Sequence, residues 1–197
     1  MAVYPDAVAE SLEQLKYSGG TDSYATSGRA VNFDCGGLVE IFLEIREGSG
    51  FVTAARFRSN GCGFMVAAAD AACSELTGAE LAGLHGLEGI GESLAERFGP
   101  VPTARLGCFD AVINGVKAAF REHRNQVVAE FAGEKALVCT CFGVSEETIL
   151  KFITAERPST VLEVSDACRA GSGCGSCRML IQELMDSAER ERVMTET

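Results

Sequence analysis

Four cysteines constrain the last third of this chain more than any other feature: Cys139-Thr-Cys141 and Cys174-Gly-Ser-Cys177, a C-x-C pair and a C-x-x-C pair separated by 32 residues. A C-x-C pair is a poor disulfide, because thiols that close along the chain cannot reach a relaxed Cβ–S–S–Cβ dihedral. Four thiolates brought together are instead a site for iron–sulfur or for zinc. Zinc sites usually take C-x2–4-C pairs on both sides, so the C-x-C half favours iron–sulfur and leaves a four-cysteine zinc site open. Nine cysteines in all, behind an opening MAVYPDAVAESLEQ with no basic stretch and no apolar run, predict no secretory signal and a reducing cytoplasm. There, thiols bind metal more often than they pair.

The charge narrows the partners. Residues 1–133 carry 10 basic against 17 acidic side chains and residues 134–197 carry 7 against 11, for a net −11. A phosphate-backbone binder needs a basic footprint, and neither half offers one, so nucleic acid is excluded as a partner. Hydrophobic content of 47% is ordinary for a globular chain, and no run of about 18 apolar residues predicts a membrane span.

The chain reads as an α+β fold in two domains, 1–133 and 134–197. The first opens with a helix from Pro5 to about Lys16 and a Gly/Ser/Thr-rich loop from Ser18 to Gly28. From Gly37 the pattern becomes strand: Val39, Ile41, Leu43 and Ile45 share one face, and Glu40, Phe42 and Glu44 the other. Glu47-Gly-Ser-Gly50 reads as the turn of a hairpin that returns over Phe51–Arg58. Cys62 opens a nearly all-apolar helix, FMVAAADAACSEL, which must therefore be buried. Thr77-x-x-Glu80 reads as a capping box. A helix follows over Glu92–Phe98, and a long one from Cys108 to about Phe131. Ala132-Gly-Glu-Lys135 reads as the joint.

The second domain is predicted to be small and all-α. Ser145 caps a helix over Glu146–Thr154, Pro158 stops it, and Thr160 caps another over Val161–Ala167. Gly171, Gly173 and Gly175 allow close backbone approach to a metal, and Cys177 stands where a last helix, Arg178 to about Arg190, begins. About 55 residues with few large apolar side chains make a marginal core, so bound metal is expected to contribute much of the stability.

VCTCFGVSEETI followed by AGSGCGSC resembles the ferredoxin-like domain of bacterioferritin-associated ferredoxin and of the central region of NifU proteins. That resemblance implies one permanent [2Fe-2S] cluster on Cys139, Cys141, Cys174 and Cys177, in a small helix-turn-helix fold. Cys168 lies outside the pattern and reads as a spare buried thiol.

In the first domain, NFDCGGLVEIFLEI, VTAARFRSNGCGFMVAAA and PVPTARLGCFDAVINGVKAAF resemble, in order, the three cysteine segments of IscU-type iron–sulfur scaffolds. IscU-like followed by ferredoxin-like is the arrangement of NifU, here without the thioredoxin-like C-x-x-C domain that many NifU proteins add. The resemblance implies a transient Fe–S cluster, or iron or zinc, on Cys35, Cys62 and Cys108. Cys73 falls on a similar helix face to Cys62 but ~16 Å along the axis, and reads as core. The departures are Gly37 where the family usually has aspartate, Gly107 where it commonly has histidine, and Arg105 where it usually has lysine. Asp34 points away in an extended chain, which leaves the fourth coordination position open. His85 and His123 adjoin no cysteine and read as surface residues.

The resemblance implies a scaffold rather than an enzyme. A cysteine desulfurase would supply sulfur and an electron donor would serve the permanent cluster. Fe–S acceptor apoproteins would take the product, with the chain acting as a homodimer. The alternative is a redox or regulatory ferredoxin-like protein whose IscU-like domain has lost assembly and serves for docking. No histidine base is placed beside a cysteine, which argues against a cysteine-nucleophile enzyme.

Overall fold

In the computed structural model the described residues are 4–20, 24–46, 50–84, 87–132 and 136–195. The expected turn at 47–49, the residue His85 and most of the expected joint (133–135) lie outside them. The chain divides into two compact units, residues 1–80 with 86–123 and residues 81–85 with 124–197.

Unit 1 is built on alternation. In β2 (Gly37–Ile45), Val39, Ile41, Leu43 and Ile45 are all buried, as the period of two predicts. Each such side chain contributes about 1.5–3 kcal/mol of burial. The opposite face is less open than expected. Phe42 is covered by Gly20 and by the Arg58 guanidinium over its ring, and the buried Glu40 is ion-paired to Arg29 at 2.7 Å. β3 (Val52–Ser59) pairs antiparallel with β2, which is the predicted hairpin. The segment read as loop to Gly28 is corrected: β1 (Thr26–Asn32) is a full edge strand, antiparallel to β2, giving the order β1-β2-β3. Its sequence TSGRAVN shows little periodicity, so only the partner strand reveals it.

α1 (Asp6–Glu13) is shorter than predicted. α2 (Gly63–Leu76) is the buried apolar helix, with Cys62 at its N-cap and Cys73 fully enclosed. Its single buried carboxylate, Asp70, accepts the backbone N–H groups of Lys16 and Tyr17 at 2.9 and 2.8 Å, which ties down the segment after α1. Thr77 does not start a capping box. It ends α2, where its hydroxyl donates to the Cys73 carbonyl, and Gly78 at φ +85° turns the chain away. α3 (Glu88–Phe98) begins four residues earlier than read, and α4 (Thr103–Glu130) five residues before Cys108. Cys108 therefore sits inside the helix rather than at its mouth. Pro102 supplies the carbonyl for its first turn, a tolerated proline position.

α4 lies against the sheet through glycine. A Cβ on Gly28 would come within 2.1 Å of the Ala119 nitrogen and 2.4 Å of the Gly115 oxygen. The Thr26 hydroxyl donates to the Ala119 carbonyl beside that contact.

Unit 2 is helical as read: α5 (Glu146–Glu156), α6 (Val161–Cys168) and α7 (Arg178–Thr195). The caps are the predicted ones, with the Ser145 and Thr160 hydroxyls accepting from Thr148 and Glu163 N–H at 3.3 Å. A short ribbon, β4 (Leu137–Cys139) with β5 (Val144–Ser145), is added to the all-α reading. Ile149, Val164, Ala170 and Ile181 form the centre of its small core.

Candidate metal centres

Three elements of unit 1 deliver three thiols. Cys35 lies in the turn between β1 and β2, Cys62 caps α2, and Cys108 is in the second turn of α4. Cys62 and Cys108, 46 residues apart, meet at 3.6 Å between sulfurs. Cys35 is linked through Asn32, whose carbonyl accepts from its thiol at 3.9 Å and whose carboxamide donates to Cys108 Sγ at 3.5 Å. Exposure is graded: Cys35 is open, Cys62 half-buried and Cys108 fully enclosed.

Between Cys62 and Cys108, negative charge falls first on Cys62. Burial raises its pKa, but the Met65 and Phe64 N–H groups at the helix start, the Cys108 thiol and the Arg105 charge outweigh that and hold it below the ordinary thiol value. Burial pushes Cys108 up to about 11, against the Asn32 hydrogen bond.

The two glycine departures are filled from within. A Cβ on Gly37 would stand 3.2 Å from Met65 Cε and 3.3 Å from Cys35 Sγ. One on Gly107 would stand 3.1 Å from both heavy atoms at the tip of the Asn32 carboxamide. Asp34 is exposed and donates its backbone N–H to Asn32 Oδ1 at 3.0 Å. His123 is half-buried on α4.

In unit 2, Cys139, Cys141, Cys174 and Cys177 line one cavity of about 140 Å³, together with Val138, Gly171, Gly173 and Leu180. Cys141 and Cys174 are 3.4 Å apart. A Cβ on Gly173 would sit 3.0 Å from Cys141, which is the close approach the glycine run predicts. The first negative charge of the set settles on Cys139, which is drawn far below the ordinary thiol range by hydrogen bonds from Cys141 and Cys177. Those two are driven up in return, with burial adding to the effect. The Gly171 N–H also faces Cys139 and Cys177. Cys168 stands apart, half-buried, donating to the Val164 carbonyl at 3.1 Å.

Among the described residues no three His, Cys, Asp or Glu side chains converge tightly enough for one ion. The thiols of unit 2 touch in succession, Cys177 to Cys139, Cys139 to Cys141 and Cys141 to Cys174, around the one cavity they line. An all-sulfur donor set, a cavity of this size and facing backbone N–H groups fit a [2Fe-2S] cluster.

Residues 3–130 match the NifU-like N-terminal domain, and residues 137–187 match the BFD-like [2Fe-2S] binding domain. The chain belongs to the NifU-like N-terminal domain family. The two matches follow the IscU-like then ferredoxin-like order read from the cysteine segments, and they make a [2Fe-2S] cluster the cofactor of the second domain and a transient Fe–S cluster that of the first. A nitrogen fixation protein NifU of Trichormus azollae is 26% identical over 200 residues, covering 98% of this chain and 66% of that protein. Another, of Leptolyngbya boryana, is 30% identical over 105 residues, covering 53% of this chain and 51% of that protein. The chain thus spans about half to two thirds of the length of these relatives. A crystal structure of a NifU-like N-terminal protein from Brucella abortus superposes with a TM-score of 0.49 at 17% identity, covering 61% of this chain and 93% of that one.

Asn32, Met65 and Ser165 escape the sequence reading. Asn32 had a signal, an Asx residue opening the turn Asn32-Phe-Asp-Cys-Gly. Met65 and Ser165 had none, each being one residue in a helical run. No helix among the described residues is long and apolar enough to cross a membrane.

Proposed function

We propose that the chain is a non-catalytic scaffold that receives sulfur from a cysteine desulfurase and iron from a donor, gathers them on Cys35, Cys62 and Cys108, and hands the product to acceptor apoproteins. The observation that carries this is the meeting of Cys62 and Cys108 at 3.6 Å with Cys35 joined to Cys108 through Asn32. Exposed Cys35 is the thiol an incoming sulfur donor reaches, and Cys62 is the one already biased toward thiolate. Three thiolates leave one position for cargo or partner, as a site that must release its contents requires.

In unit 2, Cys139, Cys141, Cys174 and Cys177 would hold the permanent cluster. When bound, [2Fe-2S] supplies one-electron transfer, here to reduce delivered sulfur or to join two small clusters. The chain's own residues would fix it by Gly171 N–H donation, with Val138 and Leu180 lining its cavity. A homodimer in the cytoplasm, served by an electron donor, completes the proposal.

The packing at Gly37 and Gly107 favours a second reading, in which unit 1 has lost assembly and serves for docking. One experiment separates the two. Cys35→Ala is assayed for desulfurase-dependent cluster formation, with the unit 2 absorption as an internal reference. Loss of the additional iron and sulfide is expected, and unchanged assembly ends the scaffold reading.

A further inference from the structure

Asn32 is the last residue of β1 and is enclosed, with 6% of its surface exposed. A buried carboxamide must find partners for both ends. Its Oδ1 accepts the Asp34 N–H, and its Nδ2 donates to Cys108 Sγ at 3.5 Å. Its backbone carbonyl accepts from both the Gly36 N–H and the Cys35 thiol. One residue therefore touches two of the three thiols of unit 1, and it does so from the space that a side chain on Gly107 would occupy. Asn32 and Gly107 are sterically linked, because neither could grow without displacing the other.

We propose that Asn32 is the positioning residue of the unit 1 thiol site: its carboxamide fills the place beside Gly107 and supplies an N–H···S hydrogen bond to Cys108, so that the trio is held by a neutral donor rather than by a further ligand. This rests on the reading of Cys35, Cys62 and Cys108 as the metal-holding set. An N–H donated to a thiolate draws charge from sulfur, which favours the charged ligand over the thiol and moves the sulfur-to-metal charge-transfer energy. A carboxamide nitrogen whose N–H groups point at sulfur offers no lone pair to metal, so Asn32 orients a ligand without becoming one.

The test uses the full chain with its [2Fe-2S] cluster in place and Co²⁺ alone as the probe. Co²⁺ is titrated into the parent, Asn32→Asp and Asn32→Leu, two replacements of similar shape that lack the N–H donor. Affinity is read against a competing chelator, and folding is checked by circular dichroism. Asn32→Leu is expected to bind Co²⁺ about 10- to 100-fold more weakly, while Asn32→Asp, whose carboxylate can itself take the cation, is read by its band. Their thiolate-to-cobalt band should move to lower energy, a shift that loss of packing alone would not produce. A parent that takes up no Co²⁺ on these cysteines overturns the proposal, as do folded variants whose band and affinity equal the parent's. Failure of cluster assembly in the parent, with Co²⁺ binding and the band shift intact, would defeat the scaffold reading while leaving Asn32 in its role.

Discussion

The Ser165 hydroxyl donates to the Ala170 carbonyl oxygen at 2.7 Å, in a fully buried contact that closes the end of α6 onto the cysteine cavity. The same peptide unit carries the Gly171 N–H that faces Cys139 and Cys177. A carbonyl that accepts a hydrogen bond makes its own peptide N–H a stronger donor, by roughly 10–30% per bond. Ser165 thus acts on the thiolates through a peptide. Ser165→Ala should lower the reduction potential of the [2Fe-2S] cluster by on the order of 10–30 mV, since weaker donation disfavours the more negative reduced form. Leaving the Ala170 carbonyl without this partner should also destabilise the unit by about 1–3 kcal/mol. Spectroelectrochemistry and thermal denaturation read the two effects separately, and an unchanged potential would show that the peptide does not couple to the cluster.

Unit 2 has five cysteines, and four of them line one cavity. The Cys168 thiol is turned to the Val164 carbonyl one turn back in α6, while the other four line the cavity. Single replacements of Cys139, Cys141, Cys174 or Cys177 by Ala should remove the visible absorption of the cluster. Cys168→Ala should keep it and lose about 1 kcal/mol of burial. A colourless Cys168→Ala protein that is still folded would overturn the ligand assignment.

What the sequence revealed follows from where its signals are local. The caps of α5 and α6, the apolar face of β2 and the gathering of the C-x-C and C-x-x-C pairs are each complete within a few residues, and each is seen. β1 was hidden because TSGRAVN is an edge strand whose small residues answer to α4 above them, at Gly28 and Thr26, rather than to their own period. Thr77 misled because a Thr-x-x-Glu pattern is the same whether a helix begins there or ends. The cysteines of unit 1 could be ranked by their flanks, but Asn32 as their link required the register that sets it opposite Gly37.

The Gly28 contact makes a stability prediction. A methyl group there meets backbone atoms of α4 at 2.1 and 2.4 Å, and backbone cannot rotate away as a side-chain tip can. Gly28→Ala should therefore destabilise unit 1 by at least about 3 kcal/mol, at the upper end of overpacking effects. The [2Fe-2S] absorption should survive it, because the [2Fe-2S] binding domain, residues 137–187, lies in unit 2. Chemical denaturation followed by circular dichroism and at the cluster band distinguishes the two units. A Gly28→Ala chain as stable as the parent would mean that β1 does not pack against α4 as described.

The thiols of unit 2 also predict a pH dependence for metal uptake. In the metal-free protein Cys139 and Cys174 are shifted down, Cys139 by the thiols that donate to it, and Cys174 by Ser176, Cys141 and Arg124 against its burial. Cys141 and Cys177 are shifted up, chiefly by the neighbouring Cys139 charge. Around neutral pH Cys139 has therefore already lost its proton while Cys141 and Cys177 keep theirs, and a metal that needs four thiolates must expel the protons that remain. A group that holds its proton in the free state and loses it on binding makes binding tighter as pH rises. Apparent affinity should thus rise with pH through the neutral range. Cd²⁺ added to metal-free protein carrying Cys35→Ala, Cys62→Ala and Cys108→Ala, in weakly buffered solution with a pH indicator, counts the protons directly. A release of fewer than four per site is expected at pH 7, because Cys139 has no proton left to give. A release near four would mean that the four thiols titrate independently, and that Cys139 holds no charge in the metal-free chain.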